Sequence, residues 1–387
     1  MLYIILFIVF FLLSIIYDYN KVEKNRTYFY WLSVSTLIIV AGFRYHVGLD
    51  SIRLDEWYQS CPNIFDLSYN FIKDERRYQP LWIILCSLLR TISPDFALLQ
   101  IVQSAVVNIL IFSFIKKKTP FIFSSLLMYF LLAYLVFNFE IMRESLAVAI
   151  SLFAFLSLEN KKWLKFLIIS FIAFEIHISA IFTLIFPLIY NIRIGKYHVL
   201  LSFIMVLFIN ILYAKYIDLI FTILSSNTDN LSKSILTYSY AGNIGNSLKY
   251  YISIYLNGFI LPVWFLFIRK KRWTKEFKYG SLILIFSIFS LLGNQSVAFL
   301  RFSNYLLIFY IILVAEIFQY LLKKYRPRIL TGVLFISLIS FSFIYSMFKP
   351  VSFLQNIKTY SRYYPYNTIF FKEKDVDRER WSRLEFY

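Results

Sequence analysis

Charged residues are scarce in this chain. Of its 387 residues only 16% are Asp, Glu, Lys or Arg, whereas 59% are hydrophobic and 21% are aromatic. A soluble domain carries about 25% charged residues, and the mean hydropathy of +0.65 lies far on the apolar side. The shortage of charge excludes a soluble globular protein and predicts an integral membrane protein.

Cysteine, histidine, glycine and proline are also rare. The two cysteines, Cys61 and Cys86, and the three histidines are too few for a disulfide framework or a zinc site, although a single disulfide stays open. The nine glycines and nine prolines form no Gly/Pro-rich linker. No carboxylates or histidines cluster at metal-ligand spacing, so neither a metal ion nor another cofactor is expected.

Acidic residues are outnumbered by basic ones, which gives a formal net charge of +18. The Lys and Arg residues lie in short segments between apolar runs and form no single patch, which argues against nucleic acid as a partner. Cytoplasmic loops of membrane proteins are rich in Lys and Arg. The segments predicted to face the cytoplasm are DYNKVEKNRT, KKKT, ENKKWLK, NIRIGKYH, RKKRWTKEFK and KKYRPR. Both termini then face outward.

Apolar runs recur along the chain, and about 20 helical residues suffice to cross a bilayer core. They lie near residues 2–17, 28–43, 97–115, 120–137, 142–158, 163–190, 198–224, 248–268, 279–299, 302–322 and 329–347. The run at 163–190 is too long for one span and contains the polar sequence EIH, so we expect two short helices that meet there. The predicted fold is all-α and polytopic, with about 12 transmembrane helices (roughly 10 to 14).

The segment PLWIILCSLLRTI, residues 80–92, is apolar but short for a span. We expect an interfacial or re-entrant helix on the outer side of the membrane. The loop at 44–96 then faces outward. The chain divides into a polytopic transmembrane domain at 1–348 and a tail at 349–387, which is also predicted to lie outside.

Charged residues outside the cytoplasmic segments gather at the outward ends of the predicted helices. An arginine near the membrane centre costs about 2.5 to 3.5 kcal/mol, so such residues usually line a polar cavity. They are Arg44, Asp50, Arg53, Asp55, Glu56, Glu140, Arg143, Glu175, His177 and Arg301. Other interpretations stay open: Arg143 and Arg301 could reach the outer headgroups, and His177 could be a core histidine.

Several short motifs occur in a fixed order along the chain. FRYHVGLD, residues 43–50 and hereafter the motif loop, is followed by EWYQ, RESLA, HISA, RFSNY and YYPYNTIFF. This series resembles the signatures of the EpsG-like branch of Wzy polysaccharide polymerases, and F-R-x-x-V-G-x-D is its most specific part. One departure is Leu54, where members of that branch often carry tyrosine.

The resemblance implies a glycosyltransferase with a GT-C-like fold in the bacterial cytoplasmic membrane. Such an enzyme joins oligosaccharide repeat units, carried on undecaprenyl diphosphate, into a capsule, exopolysaccharide or O-antigen on the outer face. A separate chain-length regulator protein is an implied partner. The rival interpretations are a flippase or other transporter of the same lipid-linked sugar and a membrane-bound O-acyltransferase.

Three arginines are the candidates for binding the diphosphate, because a guanidinium makes bidentate bonds to phosphate and stays charged. They are Arg44, Arg143 and Arg301. His177 and Asp50 compete as the base for the acceptor hydroxyl, and His177 is preferred because histidine is basic near neutral pH. The candidates for stacking on sugar rings are Trp57, Tyr58, Tyr305 and Tyr366.

Overall fold

The computed structural model describes residues 1–75, 77–195, 197–209, 212, 255–272, 279–293, 297–348, 350–351 and 354–384. The second half of the apolar run at 198–224 and the first part of the run at 248–268 lie outside these residues. The chain forms two compact units, which are Met1–Leu184 with Phe318–Tyr387 and Ile185–Ile317.

Helices make up most of the first unit. They are α1 (Leu2–Leu13, continued by a π-helical segment at Ser14–Tyr19), α2 (Arg26–Gly42), α3 (Leu49–Ser60), α4 (Tyr69–Asp74), α5 (Pro80–Ile92), α6 (Phe96–Lys118), α7 (Ile122–Tyr129, continued by π-helical segments at Phe130–Tyr134 and Val136–Glu140), α8 (Met142–Glu159), α9 (Trp163–Phe174) and a 3₁₀ helix at Ile178–Ile185. Local signals set several starts: Asp95 accepts the Ala97 N–H at 3.0 Å before α6, and Pro80 opens α5.

The remainder of the chain is also mainly helical. Its elements are α10 (Phe186–Ile189), α11 (Tyr197–Ile209), a π-helical segment at Leu256–Ile260, α12 (Leu261–Arg272), α13 (Gly280–Leu292), α14 (Val297–Lys324), α15 (Arg328–Met347), β1 (Pro350–Val351), β2 (Leu354–Lys358), a 3₁₀ helix at Thr359–Arg362 and α16 (Val376–Leu384). The strands β1 and β2 form an antiparallel pair.

Membrane-spanning candidates are present in the part of the chain that the structure describes. Three helical segments are long and apolar enough to cross a bilayer: Leu2–Tyr19, Phe96–Lys118 and Val297–Lys324. Shorter apolar helices accompany them, among them Pro80–Ile92 and Trp163–Phe174. A helical membrane protein is therefore confirmed in outline, whereas the expected 12 spans and the GT-C-like fold stay predictions.

The predicted break in the apolar run at 163–190 is confirmed. Helix α9 ends at Phe174, and the 3₁₀ helix begins at Ile178. The backbone closes the intervening turn, since the His177 N–H donates to Ala173 O at 3.0 Å and the Ala180 N–H donates to His177 O at 2.9 Å. The turn places His177 between two apolar segments.

Buried polar side chains fix the helices of the first unit against one another. The Tyr30 hydroxyl donates to Phe112 O at 2.8 Å and joins α2 to α6. The Gln103 amide donates to Met142 O at 3.0 Å, which fixes the first turn of α8 against α6. Buried polar groups need such partners, and the consequence here is a fixed position for the residue after Met142, which is Arg143.

The C-terminal residues 354–384, hereafter the tail, pack on the motif loop. The Tyr45 N–H donates to Asn367 O at 2.8 Å, and the Ile369 N–H donates to Phe43 O at 3.0 Å. The tail and the motif loop therefore lie on the same face of the protein. That this face is the outer one stays a prediction from the basic loops.

Candidate functional site

Gly48 allows the motif loop to contact the end of α7. Its φ is +92°, in the left-handed region that favours glycine, and a Cβ placed there would lie 2.3 Å from Phe139 O. The Gly48 N–H donates to Arg362 O of the tail at 2.9 Å. Any side chain at this position would push the motif loop away from Phe139.

Arg44 is fully buried beneath the motif loop, at 0% exposure. Its Nε donates to Val47 O at 3.2 Å, Nη1 donates to Ala41 O, and Nη2 lies 3.1 Å from Met142 Sδ. Its Cζ lies 4.8 Å from the centroid of the Phe139 ring. All three guanidinium nitrogens thus make contacts inside the protein. These contacts favour a role for Arg44 in holding the motif loop, rather than the predicted role in binding a diphosphate.

Glu140 brings a second carboxylate beside Asp50. Its Oε1 accepts the Leu49 N–H and its Oε2 accepts the Asp50 N–H, each at 3.3 Å. The carboxylate therefore caps the start of α3, where the preceding Gly48 has no side chain to do so. The sequence placed Glu140 among the outward charges but did not select it for the site.

The environment of Glu140 changes its acidity. Its pKa is raised to about 7, chiefly by burial and also by the neighbouring Asp50, although Arg362 and the two N–H donors act in the opposite direction. Asp50 itself is exposed, and its Oδ1 lies 3.6 Å from Arg53 Nη1. Two carboxylates of different exposure thus lie together at the start of α3.

Arg143 packs on the aromatic residues of the loop at 44–96. Its Cζ lies 4.3 Å from the centroid of the Tyr78 ring, and its Nη1 donates to Arg77 O at 3.3 Å. The Tyr78 ring centroid is 4.1 Å from that of Trp57, whose Nε1 donates to Glu75 Oε2 at 3.1 Å. A guanidinium, two aromatic rings and a carboxylate therefore form one row, hereafter the Arg143 row.

His177 lies at the turn between α9 and the 3₁₀ helix and is 5% exposed. Its Nδ1 accepts the Ser179 N–H at 3.3 Å and lies 2.6 Å from Ser179 Oγ. A backbone N–H can only donate, so in the neutral ring the proton is assigned to Nε2. In this neutral tautomer Nε2 carries the proton, and a base that acts through Nε2 needs the other tautomer; the role of His177 as the base stays a prediction.

Backbone contacts link the turn that carries His177 to the Arg143 row. The Leu81 N–H, at the start of α5, donates to Glu175 O at 3.0 Å. Tyr78, which lies under Arg143, is three positions before Leu81 in the chain. The turn that carries His177 is thus hydrogen-bonded to the start of α5, which follows Tyr78 of the Arg143 row in the chain.

Two of the predicted stacking residues are unsuited to the role. Tyr58 and Tyr305 are both 0% exposed, and the Tyr58 hydroxyl donates to Ser93 O at 3.0 Å. Neither ring has an exposed face for a sugar, so both leave the candidate site. Trp57 and Tyr366 are partly exposed, although the Tyr366 hydroxyl donates to Val40 O at 2.9 Å.

Arg301 lies in the second unit, near the start of α14, and is partly buried. Its convergence with the residues of the first unit stays a prediction. The two cysteines form no disulfide: Cys61 and Cys86 are both free and buried.

The arrangement in the first unit combines a cation on an aromatic row with a pair of carboxylates, which suits an anionic ligand that carries sugars. Comparison with curated proteins and with solved structures finds no significant match. A family model does match, and it covers residues 27–368, which include the motif loop, the Arg143 row and His177. The chain therefore belongs to the EpsG family, the EpsG-like branch of the Wzy-type polymerases.

Proposed function

We propose that the chain is a glycosyltransferase that polymerises oligosaccharide repeat units linked to undecaprenyl diphosphate. The polymer is a surface polysaccharide made on the outer face of the cytoplasmic membrane, and a chain-length regulator is a partner under this proposal. The observation that supports it best is the Arg143 row, whose Trp57 lies on α3, the helix that begins at the carboxylates of Asp50 and Glu140. These groups match the three parts of the reaction: an anionic leaving group, sugars and a hydroxyl that loses its proton.

In this proposal Arg143 binds the diphosphate of the donor. A guanidinium makes charge-assisted, bidentate hydrogen bonds with phosphate oxygens. The bond between the anomeric carbon and the diphosphate oxygen breaks in the reaction, so negative charge grows on the leaving group, and a fixed cation stabilises the transition state. Trp57, in the same row, offers a ring for the sugar next to the diphosphate. Arg301 stays a candidate ligand of the diphosphate from the sequence alone.

Asp50 and Glu140 act on the acceptor sugar. The acceptor hydroxyl oxygen forms the new bond to the anomeric carbon, and its proton passes to the carboxylate pair. A carboxylate with a raised pKa is a stronger base than an ordinary one. His177, the base predicted from the sequence, stays the alternative for this step. Arg44 holds the motif loop that carries Asp50.

The pH dependence of turnover tests the assignment of the base. Since burial raises the pKa of Glu140 to about 7, the carboxyl is protonated below that pH, and turnover should fall as the pH drops through it. Glu140→Gln should lower turnover by about 100-fold or more and remove this acid limb. Initial rates of polymerisation between pH 5.5 and 9, a range of about 1.5 to 2 units on either side of this pKa, measure both. An unchanged acid limb in Glu140→Gln would assign the base elsewhere, with Asp50→Asn as the next variant.

The function itself is tested with purified protein in liposomes and a synthetic undecaprenyl-diphosphate-linked repeat unit. A ladder of products, each longer by one repeat unit, is the expected result. Movement of the lipid across the bilayer without a ladder would identify a transporter, and an acylated monomer would identify an acyltransferase. Addition of a metal chelator should leave the ladder unchanged, because the proposed leaving-group stabiliser is a guanidinium.

A further inference from the structure

The last part of the tail lies beyond the residues that the family model matches, which end at 368. This part contains α16, which packs on α3 and on the 3₁₀ helix at Thr359–Arg362. Trp381 of α16 is 2% exposed and forms a small apolar core with Leu49 and Ile357. Leu49 is the residue before Asp50, so α16 lies directly behind the start of α3.

Arg378 on α16 is buried, at 0% exposure, and joins the tail to the motif loop. Its Nη1 donates to His46 O at 2.8 Å, its Nη2 donates to Pro365 O at 2.6 Å, and its Nε donates to Ser361 O at 2.8 Å. One guanidinium thus binds carbonyls of the tail and of the motif loop, although His46 lies 332 positions before Arg378 in the chain. Lysine could not reproduce this planar set of donors.

Glu379, the residue after Arg378 on α16, makes a second connection to the motif loop through His46. His46 has a φ of +49° and lies between two carboxylates: its Nδ1 is 2.5 Å from Glu379 Oε1, and its Nε2 is 3.3 Å from Asp55 Oδ2. The imidazole can bridge both carboxylates when it carries two protons, since each nitrogen is then a donor. The bridge therefore ties α16 to α3 through the motif loop.

We infer that Arg378 and Glu379 are positioning residues for the active site, which they serve by holding the motif loop and the start of α3 in place. The inference rests on the proposed function for its kinetic part. It extends the catalytic unit beyond the family-matched residues to include α16. Neither residue needs to contact substrate, because both act through the backbone and side chain of His46.

The bridge at His46 depends on pH. Burial lowers the pKa of His46, but the hydrogen bonds and charges of Asp55 and Glu379 outweigh it and leave the pKa raised. The bridge is therefore complete at low pH and is lost as the pH rises through this raised value. Other charged groups that the structure describes near His46 are Arg378, whose Nη1 donates to His46 O, Asp95, which lines the same cleft, and Lys372, 3.2 Å from Asp95. Turnover should therefore fall at alkaline pH as the bridge is lost, which gives the pH profile an alkaline limb.

Paired substitutions on α16 test the inference in the full-length protein. Arg378→Ala is compared with Arg380→Ala, a matched change at an exposed arginine of the same helix. Arg378→Ala should lower turnover by about 10- to 100-fold, since small displacements of catalytic groups have effects of this size. Arg378→Lys should recover only part of the loss, and Arg380→Ala should stay within about twofold of the original protein.

Two further readouts separate positioning from general stability. Hydrogen exchange at residues 44–50 should rise about tenfold in Arg378→Ala and stay unchanged in Arg380→Ala. Glu379→Gln, which keeps the shape of the side chain, should move the alkaline limb about one pH unit lower and leave the acid limb in place. Exchange data need no substrate, so they test the link between α16 and the motif loop even if the protein makes no polymer. Unchanged exchange and unchanged pH limbs in these variants would overturn the inference.

Discussion

Gly48→Ala is expected to abolish polymer formation, although the transmembrane helices still fold and insert. The added Cβ would lie 2.3 Å from Phe139 O, a distance that side chains do not adopt, and the φ of +92° would itself be strained in alanine. The motif loop must then move away from the end of α7. Since Glu140 holds the N–H groups of Leu49 and Asp50, this movement separates the two carboxylates, and a displacement of about 1 Å can cost about 100-fold in rate.

Gly195→Ala is the matched control for this prediction. Among the described residues, a Cβ at Gly195 would meet His198 Nδ1 alone, at 3.6 Å, which is an ordinary contact. Both variants are purified and compared for polymer ladders and for hydrogen exchange at residues 43–50. If Gly48→Ala polymerised within about twofold of Gly195→Ala, the close approach of the motif loop to Phe139 would have no part in activity.

Arg143→Ala should lower turnover by about 100- to 1,000-fold, the usual loss when a group that stabilises a leaving anion is removed. Arg143→Lys should recover little, because an ammonium is a point charge and cannot bind a phosphate in a bidentate manner. The protein should remain folded, because Arg143 is only partly buried and contacts the Tyr78 ring and Arg77 O at the surface of the loop.

Two controls separate binding of the diphosphate from packing of the loop. Arg383→Ala removes an exposed arginine of α16 and should leave turnover unchanged. Tyr78→Phe keeps the ring under Arg143 and should stay within about twofold. Initial rates against donor concentration give kcat and KM for each variant. If Arg143→Ala retained normal turnover, Arg143 would be only a cation that packs on the loop.

Local features of the sequence were sufficient to predict several elements of the fold. Two polar residues inside a long apolar run predicted the break near His177, because a continuous span would place Glu175 in lipid. The short helix at Pro80–Ile92 followed from its apolar sequence and its length. Such features depend on neighbouring residues, which a single sequence displays directly.

The burial of individual side chains depends on partners that are distant in the chain. Arg44 has the residue type of a diphosphate ligand, yet its surroundings include Met142, 98 positions away. Tyr58 follows Trp57 directly, yet Trp57 is part of the Arg143 row whereas Tyr58 is buried against Phe96. No periodicity in the sequence separates these cases.

The contribution of the tail was the least accessible to sequence reasoning. The segment at 349–387 that contains it has eight basic and five acidic residues, which is consistent with an ordinary solvated segment. The structure shows instead that Arg378 and Glu379 contact His46. Glu140 could have been selected as a site residue from the sequence, because it precedes Arg143 by three positions at the same predicted outward helix end.

An experimental structure with undecaprenyl diphosphate bound tests the central claim most directly, because that lipid is the product released from the donor. The account predicts phosphate oxygens within about 3 Å of the Arg143 guanidinium, on the same face as the motif loop, with Trp57 beside the position of the departed sugar. Lipid diphosphate bound on the opposite face, among the basic segments predicted to be cytoplasmic and away from Arg143, would contradict it.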